Sequence, residues 1–358
     1  GIERVLTTKA NYLADVLGYE VHIITARQKG RKEFFPLSER IIRHDLDAND
    51  RMFLFKYRKR LDTLLGKIRP DFTVTVCDNS LYALTRCTDG SVKVGEFHFS
   101  HEKFLMKYGN NVFGRMYASL RTRRLENAVR KLDRFVVLTM ADKEDWEKVR
   151  PDVEQIYNPL SFVSQDVSPL TAKRCMAAGR LEGQKNFKDL ITAWQTVSAR
   201  HPDWTLSIYG NGSQREALQS QINSAGLQGK VILEGNTNNV RKEMLDSSCL
   251  VMSSRFEGFP MILLEALTTG LPIVSYDCPK GPSEVVTIGA NGYLAKVGDT
   301  GTLAQGICSV IANEDLRRRF GAESKRRSEN FTLEKTMERW DRLFSSLTTS
   351  RTRTSPEG

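Results

Sequence analysis

The chain has 358 residues, 40% of them hydrophobic and 27% charged, with a net charge of +10. That length suits two domains with a core each, and no apolar run approaches the roughly 20 residues of a membrane span. The positive charge fits phosphate-bearing ligands, an anionic membrane surface or nucleic acid, and charge alone does not choose among them. Cys77, Cys87, Cys175, Cys249, Cys278 and Cys308 form no CxxC pair. Several sit in apolar runs, so buried free thiols are expected rather than disulfides or a metal site, as suits a reducing cytoplasm.

A helical pattern runs from Gly1 to Leu17 and stops at Gly18, and Glu20 to Thr25 reads as a strand. Asp45-Leu46-Asp47 is the only Asp-x-Asp; it falls in an expected loop without supporting ligands and reads as surface. Arg51 to Arg69 is a basic helical stretch, and Pro70-Asp71 introduces a strand over Phe72 to Val76. The strand in VKVGEFHFS carries His98 at its end, with His101 close behind. Strand ends in open α/β sheets are where ligands bind. His22, His44 and His201 do not cluster with metal-ligand spacing. Phe113 to Arg134 reads as one long helix with many Arg and Lys and few acids. Two readings stay open for it. One is a solvated face; the other is a surface docked on anionic lipid, where each basic residue contributes ~1 kcal/mol. No nucleic-acid-binding motif accompanies it and no aromatics interleave, so nucleic acid is not an expected partner.

Phe135 to Thr139 is the next strand. Asn158-Pro159 leads into a polar linker, Ser161 to Thr171, and the domain boundary is set at 158/159. Strand and helix then alternate, as in a parallel sheet with crossover helices. Cys175 to Ala178 is a strand, followed by the loop GRLEGQKN; Phe187, Leu190, Ile191, Trp194 and Val197 mark one face of the helix after it. Arg180 and Lys185 in that loop suit a phosphate clamp, Arg bidentately and Lys as a point charge; taken alone they suit solvent equally. Further strands are Trp204 to Tyr209, Val231 to Glu234 and Cys249 to Ser253. In the block Ser253 to Glu284 the chain turns abruptly at Glu257, Gly258 and Phe259. Pro260 opens a helix that runs to Leu267, and Gly270 closes it. The helix N-terminus beside Glu257 makes an anion site next to a carboxylate, which suits a ligand bearing both phosphates and hydroxyls. Glu257 and Glu265 lie about 10 Å apart at ~1.5 Å per helical residue. That is too far for a retaining-glycosidase pair at ~5–5.5 Å. Phe331 to Leu347 is a last helix, and residues 348–358 read as disordered.

EGFPMILLEAL, followed by GLPIVSYDCPKGPSEVV, resembles the Glu-x7-Glu signature of the family 4 retaining glycosyltransferases, and GRLEGQKNF resembles their Gly-Arg-Leu…Lys-Asn element. The resemblance spans nearly the whole chain, is densest from Ala177 to Val286, and points to bacterial capsule, exopolysaccharide and O-antigen enzymes. It implies the GT-B fold: α/β, with two Rossmann-like domains of parallel sheet facing across a cleft. The acceptor domain would be 1–158, the nucleotide-sugar domain 159–330, and 331–347 a helix crossing back to the first. Gly1 matches the second glycine of the family's Gly-Gly-x-Glu-Arg loop, which touches the donor diphosphate. The strand before that loop is then expected to be missing from this chain.

The resemblance also implies roles. Glu257 contacts donor sugar hydroxyls and Glu265 the ribose. Gly258, Phe259, Pro260, Met261, Ile262 and Leu263 line the diphosphate and sugar. Arg180 and Lys185 stabilise the leaving phosphate without a metal, Asn236 lies near the base, and His98 lies beside the donor sugar. The implied reaction is retaining transfer of a hexose or N-acetylhexosamine from a UDP-sugar to a cell-surface glycan precursor, lipid-linked, with no cofactor. The expected location is cytoplasmic, peripheral on the inner face of the plasma membrane through helix 113–134. Two alternatives remain: a UDP-sugar 2-epimerase of the same fold, and a catalytically inactive nucleotide- or glycan-binding protein.

Overall fold

Short runs rich in Val, Ile and Phe, bounded by Gly and polar turns, become strands, and every pairing among the described residues is parallel. The computed structural model describes residues 2–31, 33–48, 53–76 and 78–352. Gly1, Arg51, Cys77 and residues 353–358, on which sequence expectations fall, lie outside them. The chain divides into two units. One runs through Pro159 and takes the chain back from Leu333; the other is Leu160–Thr332.

The first unit carries β1 (His22–Thr25), β2 (Ile42–Asp45), β3 (Phe72–Thr75), β4 (Val92–Phe97), β5 (Arg134–Val137) and β6 (Val153–Gln155). β3-β4-β5-β6 form one sheet, and β1-β2 stand as a separate pair. A cavity of about 500 Å³ is lined by both pieces, through Ile23 of β1 and Phe72 and Val74 of β3, and by Lys9 and Trp340. The helix Leu333–Thr352 seals this unit, burying Met337, Trp340, Leu343 and Phe344 against Val92, Val94 and Val136.

Three expectations need correction here. The last helix continues through Thr352 instead of fraying at Thr348, because a nucleated helix extends at one hydrogen bond per residue fixed. The basic helix is Val112–Val129 and stops short of Arg134. Asp133 is the reason: its N–H donates to the Lys93 carbonyl (2.9 Å) and its carboxylate accepts from the Lys93 N–H (2.7 Å), which starts β5 at Arg134. Asp45 is not in a loop. It ends β2 and accepts from the N–H groups of Gln28, Lys29 and Asp47.

The second unit carries β7 (Arg174–Ala178), β8 (Thr205–Tyr209), β9 (Val231–Gly235), β10 (Cys249–Met252), β11 (Ile273–Tyr276) and β12 (Gly292–Ala295). Their order is β12-β11-β10-β7-β8-β9. The winding reverses between β7 and β10, the place where open α/β sheets bind ligands. The helix Phe187–Arg200 buries Leu190, Ile191 and Trp194 against Leu206, Val251 and Val274. The polar linker is not a free hinge. Ser164 N–H donates to Thr268 Oγ1, Ser168 Oγ to the Ser247 carbonyl, and Arg317 Nε to the Leu170 carbonyl. Backbone and hydroxyl groups of the linker are thus bonded into the second unit, of which it is part.

Cys175, Cys249, Cys278 and Cys308 are buried unpaired thiols, and Cys87 is half-buried. Among the described residues no His, Cys, Asp and Glu side chains group to hold a metal ion, and no helix is long and apolar enough to cross a membrane.

Candidate active site

The loops leaving β7 and β10 are laced together at the switch point. Arg255 N–H donates to the Gln184 carbonyl (2.8 Å), Gln184 Nε2 to the Phe256 carbonyl (3.0 Å), and Ser253 Oγ to the Lys185 carbonyl (2.9 Å). These bonds fix the backbone on both sides of the key pair, in which Lys185 Nζ donates to Glu257 Oε1 at 2.6 Å. Glu257 is buried, and the Lys185 side chain is only 19% exposed. A buried carboxylate is uncommon unless paired, and this ammonium is the partner of Glu257. Cys278 shares the neighbourhood: burial first, and then the charge of Glu257, push its thiol up to about 12. It is therefore protonated and unreactive at neutral pH.

Glycines let the loops approach. At Gly210, with φ +135°, a Cβ would stand 2.0 Å from the Gly179 carbonyl oxygen. At Gly281, with φ +126°, a Cβ would stand 2.4 Å from Pro260 Cδ, so the loop after β11 lies directly on the start of the helix Met261–Thr268. Pro260 is the N-cap of that helix rather than its first residue, and it offers no side-chain oxygen to the first turn. The leading N–H groups of a helix have no acceptor within it, so Met261 and Ile262 present donors and the positive dipole end beside Glu257. Leu263 N–H already donates to the Pro260 carbonyl. Glu265 is buried on the same helix.

Arg180 is exposed at the rim of the first loop. The shape of that loop is held by Glu182, which accepts from Ser213 N–H and Oγ at 2.9 and 2.8 Å. The backbone bond from Ser213, and then its hydroxyl, lower the Glu182 carboxyl below its ordinary range. Asn236 is exposed on the loop after β9, two strands from β7. The structure thus gathers Lys185, Glu257, Gly258 and the helix start at the switch point, with Arg180 at the rim and Asn236 further out. The sequence reading gave no site role to Gln184, Ser253, Gly210 or Gly281. The two glycines, each following a strand, were the available signal; the hydrogen bonds of Gln184 and Ser253 had none.

In the first unit His98 is buried just past β4. Its Nε2 lies 3.1 Å from Glu96 Oε1 but without hydrogen-bond geometry. Lys9 Nζ donates to both Glu96 oxygens at 2.5 Å. Burial would raise the Glu96 carboxyl, but the charges of Lys9 and His98 outweigh it and hold it at about 2. Lys9 and Glu96 were also missed; Glu96 in a fully buried strand was the signal. His101 serves structure: its Nε2 faces Glu126 Oε1 at 3.1 Å and its ring meets Trp146 edge-on.

Residues 1–161 match the family model "Glycosyltransferase Family 4", and residues 164–327 match "Glycosyl transferases group 1". An uncharacterized glycosyltransferase of Haemophilus influenzae is 29% identical over 346 residues, covering 95% of each chain. The solved lipopolysaccharide outer core galactosyltransferase WaaB, in its apo form, superposes with a TM-score of 0.78 at 20% identity, covering 97% of this chain and 96% of that one. A mutant of S. aureus TarM, solved with fondaparinux, alpha-GlcNAc-glycerol and UDP, gives a TM-score of 0.68 at 22% identity, covering 80% of this chain and 58% of that one. Alignments with four other curated relatives cover 24% to 50% of those relatives' lengths. Two parallel-sheet units and two adjoining family matches agree: the chain belongs to the GT-B glycosyltransferases that set a family 4 domain before a group 1 domain.

Proposed function

We propose that this glycosyltransferase moves a hexose or an N-acetylhexosamine from a UDP-sugar to a cell-surface glycan precursor, with retention at the anomeric carbon. The observation that carries the reading is the Lys185–Glu257 pair at the N-terminus of the helix Met261–Thr268. An ammonium, helix N–H donors and a buried carboxylate within one loop cluster match a diphosphate attached to a polyol. UDP in the TarM structure and the galactosyl chemistry in the WaaB name support the donor class.

In this reading Lys185, Arg180 and the helix N-terminus hold the diphosphate, and Glu257 accepts from donor sugar hydroxyls. Glu265 meets the ribose and Asn236 the base. The bond between the anomeric carbon and the diphosphate oxygen breaks as the acceptor oxygen attacks. The acceptor proton passes to the leaving phosphate, so UDP departs as charge grows on it. Preorganised donors aimed at that charge lower the barrier. The acceptor is lipid-linked, and the basic helix Val112–Val129 meets the anionic inner face of the plasma membrane.

Mass spectrometry of products from a panel of nucleotide sugars, with and without lipid-linked acceptors, tests this. The expected product is an acceptor one sugar heavier plus UDP. Free epimerised sugar from donor alone would make it a 2-epimerase, and UDP binding without any turnover would make it a binding protein; either result overturns the reading.

A further inference from the structure

The helix Val112–Val129 buries Ala118, Leu125, Ala128 and Val129 on one side. On the opposite side four large apolar side chains stand open: Val112 at 69% exposure, Phe113 at 83%, Met116 at 61% and Leu120 at 64%. At 3.6 residues per turn they fall within roughly 100° of arc, one stripe on the first half of the helix. Leu105, on the helix Lys103–Tyr108 packed alongside, is 49% exposed. Soluble surfaces scatter single apolar residues; a contiguous stripe marks a contact.

The charge around the stripe says which contact. Arg115 and Arg124 lie on its two flanks, and Arg123 and the C-cap residue Arg130 continue its line toward the C-terminal end, all four exposed. The one acid of the helix, Glu126, is turned to His101. Apolar side chains with cations on both flanks and ahead of them match a laterally continuous anionic plane with an apolar layer beneath it. That is the interface of an acidic bilayer.

We propose that this face is an interfacial wedge, with Phe113, Met116, Leu120 and Leu105 entering the acyl boundary of an anionic bilayer while Arg115 and Arg124 contact lipid phosphates. The proposal rests on the membrane contact inferred above and turns it from a purely electrostatic one into partial insertion. It does not depend on the identity of donor or acceptor.

The test is co-sedimentation with phosphatidylcholine vesicles, with and without about 30% phosphatidylglycerol, in low salt and in about 0.5 M NaCl, where exposed charges are screened. The protein should bind the acidic vesicles and keep part of that binding in high salt. The triple variant Phe113→Ser, Met116→Ser, Leu120→Ser alters only exposed side chains, so its melting temperature should match the parent. Its partitioning should fall about tenfold or more and become fully salt-labile. Tryptophan emission of Phe113→Trp should shift to the blue on acidic vesicles. UDP release from donor without vesicles should be unchanged in the triple variant, which separates failure of the wedge from failure of the enzymatic reading. Parent-like binding of the triple variant would overturn insertion while keeping the electrostatic contact. No binding to any vesicle would overturn both. A dimer that the triple variant dissolves, with vesicle binding unchanged, would assign the face to a second copy of the chain and overturn the wedge.

Discussion

Lys185 and Glu257 meet at 2.6 Å although 72 positions separate them. They meet because β7 and β10 are neighbours in the sheet, and each delivers its loop to the same end. The ion pair holds the ammonium against a carboxylate four residues before the helix Met261–Thr268. An arriving diphosphate would compete with Glu257 for the ammonium, leaving Glu257 to accept from sugar hydroxyls.

Lys185→Ala and Glu257→Ala should each lower kcat about 10²- to 10³-fold, the usual scale for losing one electrostatic stabiliser. Their stabilities should differ. Lys185→Ala strands a buried carboxylate and should cost about 1–3 kcal/mol, whereas the double variant strands nothing and should recover part of that. Steady-state kinetics and urea unfolding of the three proteins check both statements. Full activity in either single variant would remove the pair from the mechanism.

Gly210→Ala should be markedly destabilising. It combines a left-handed backbone with a Cβ placed 2.0 Å from the Gly179 carbonyl oxygen. Gly226 is the control: its φ is +67° with open space around it, so Gly226→Ala meets only the conformational penalty of about 1–2 kcal/mol. Gly210→Ala should cost clearly more, about 3 kcal/mol, and raise the donor KM as the loops after β7 and β8 separate. Denaturant midpoints rank the two.

Stability should fall on acidification in a window set by Glu96. Its folded carboxyl sits at about 2 against an ordinary value of 4.5. A depressed folded value means stability fully present above the unfolded value and lost as pH drops from 4.5 toward 2. Lys9 and His98 are the basic side chains facing it. Glu96→Gln should flatten this part of the pH profile and lower stability at neutral pH, because Lys9 keeps its burial and loses its counter-charge. Unfolding curves from neutral pH down to about pH 3 read this directly.

Trp340→Ala should cost about 3–5 kcal/mol, the range for deleting a buried aromatic side chain. Trp340 is 3% exposed, packs on Phe344 and lies 4.5 Å from the Lys9 ammonium. Limited proteolysis should cut the variant first within the helix Leu333–Thr352, while a parent-like unfolding midpoint would mean that the helix is not part of the first unit's core.

Much of the fold was readable along the chain. Alternating strands and helices, the loop carrying Arg180 and Lys185, and the turn at Glu257 before a short helix are local patterns, set by side-chain period and by Gly and Pro geometry. Boundaries drifted where a distant partner decided them: Asp133 ends the basic helix early because it bonds Lys93, 40 positions away. The sequence by itself determined the α/β class and, through its motifs, the glycosyltransferase resemblance, while residue types alone carried the expectation of a phosphate-and-hydroxyl site. Only the tertiary structure decided that Lys185 reaches Glu257, that Lys9 neutralises Glu96, that Gly281 presses on Pro260, and which face of Val112–Val129 stays open. Each of these depends on strand order and helix packing, which join residues far apart in the chain. Local periodicity carries no record of which distant strand becomes a neighbour.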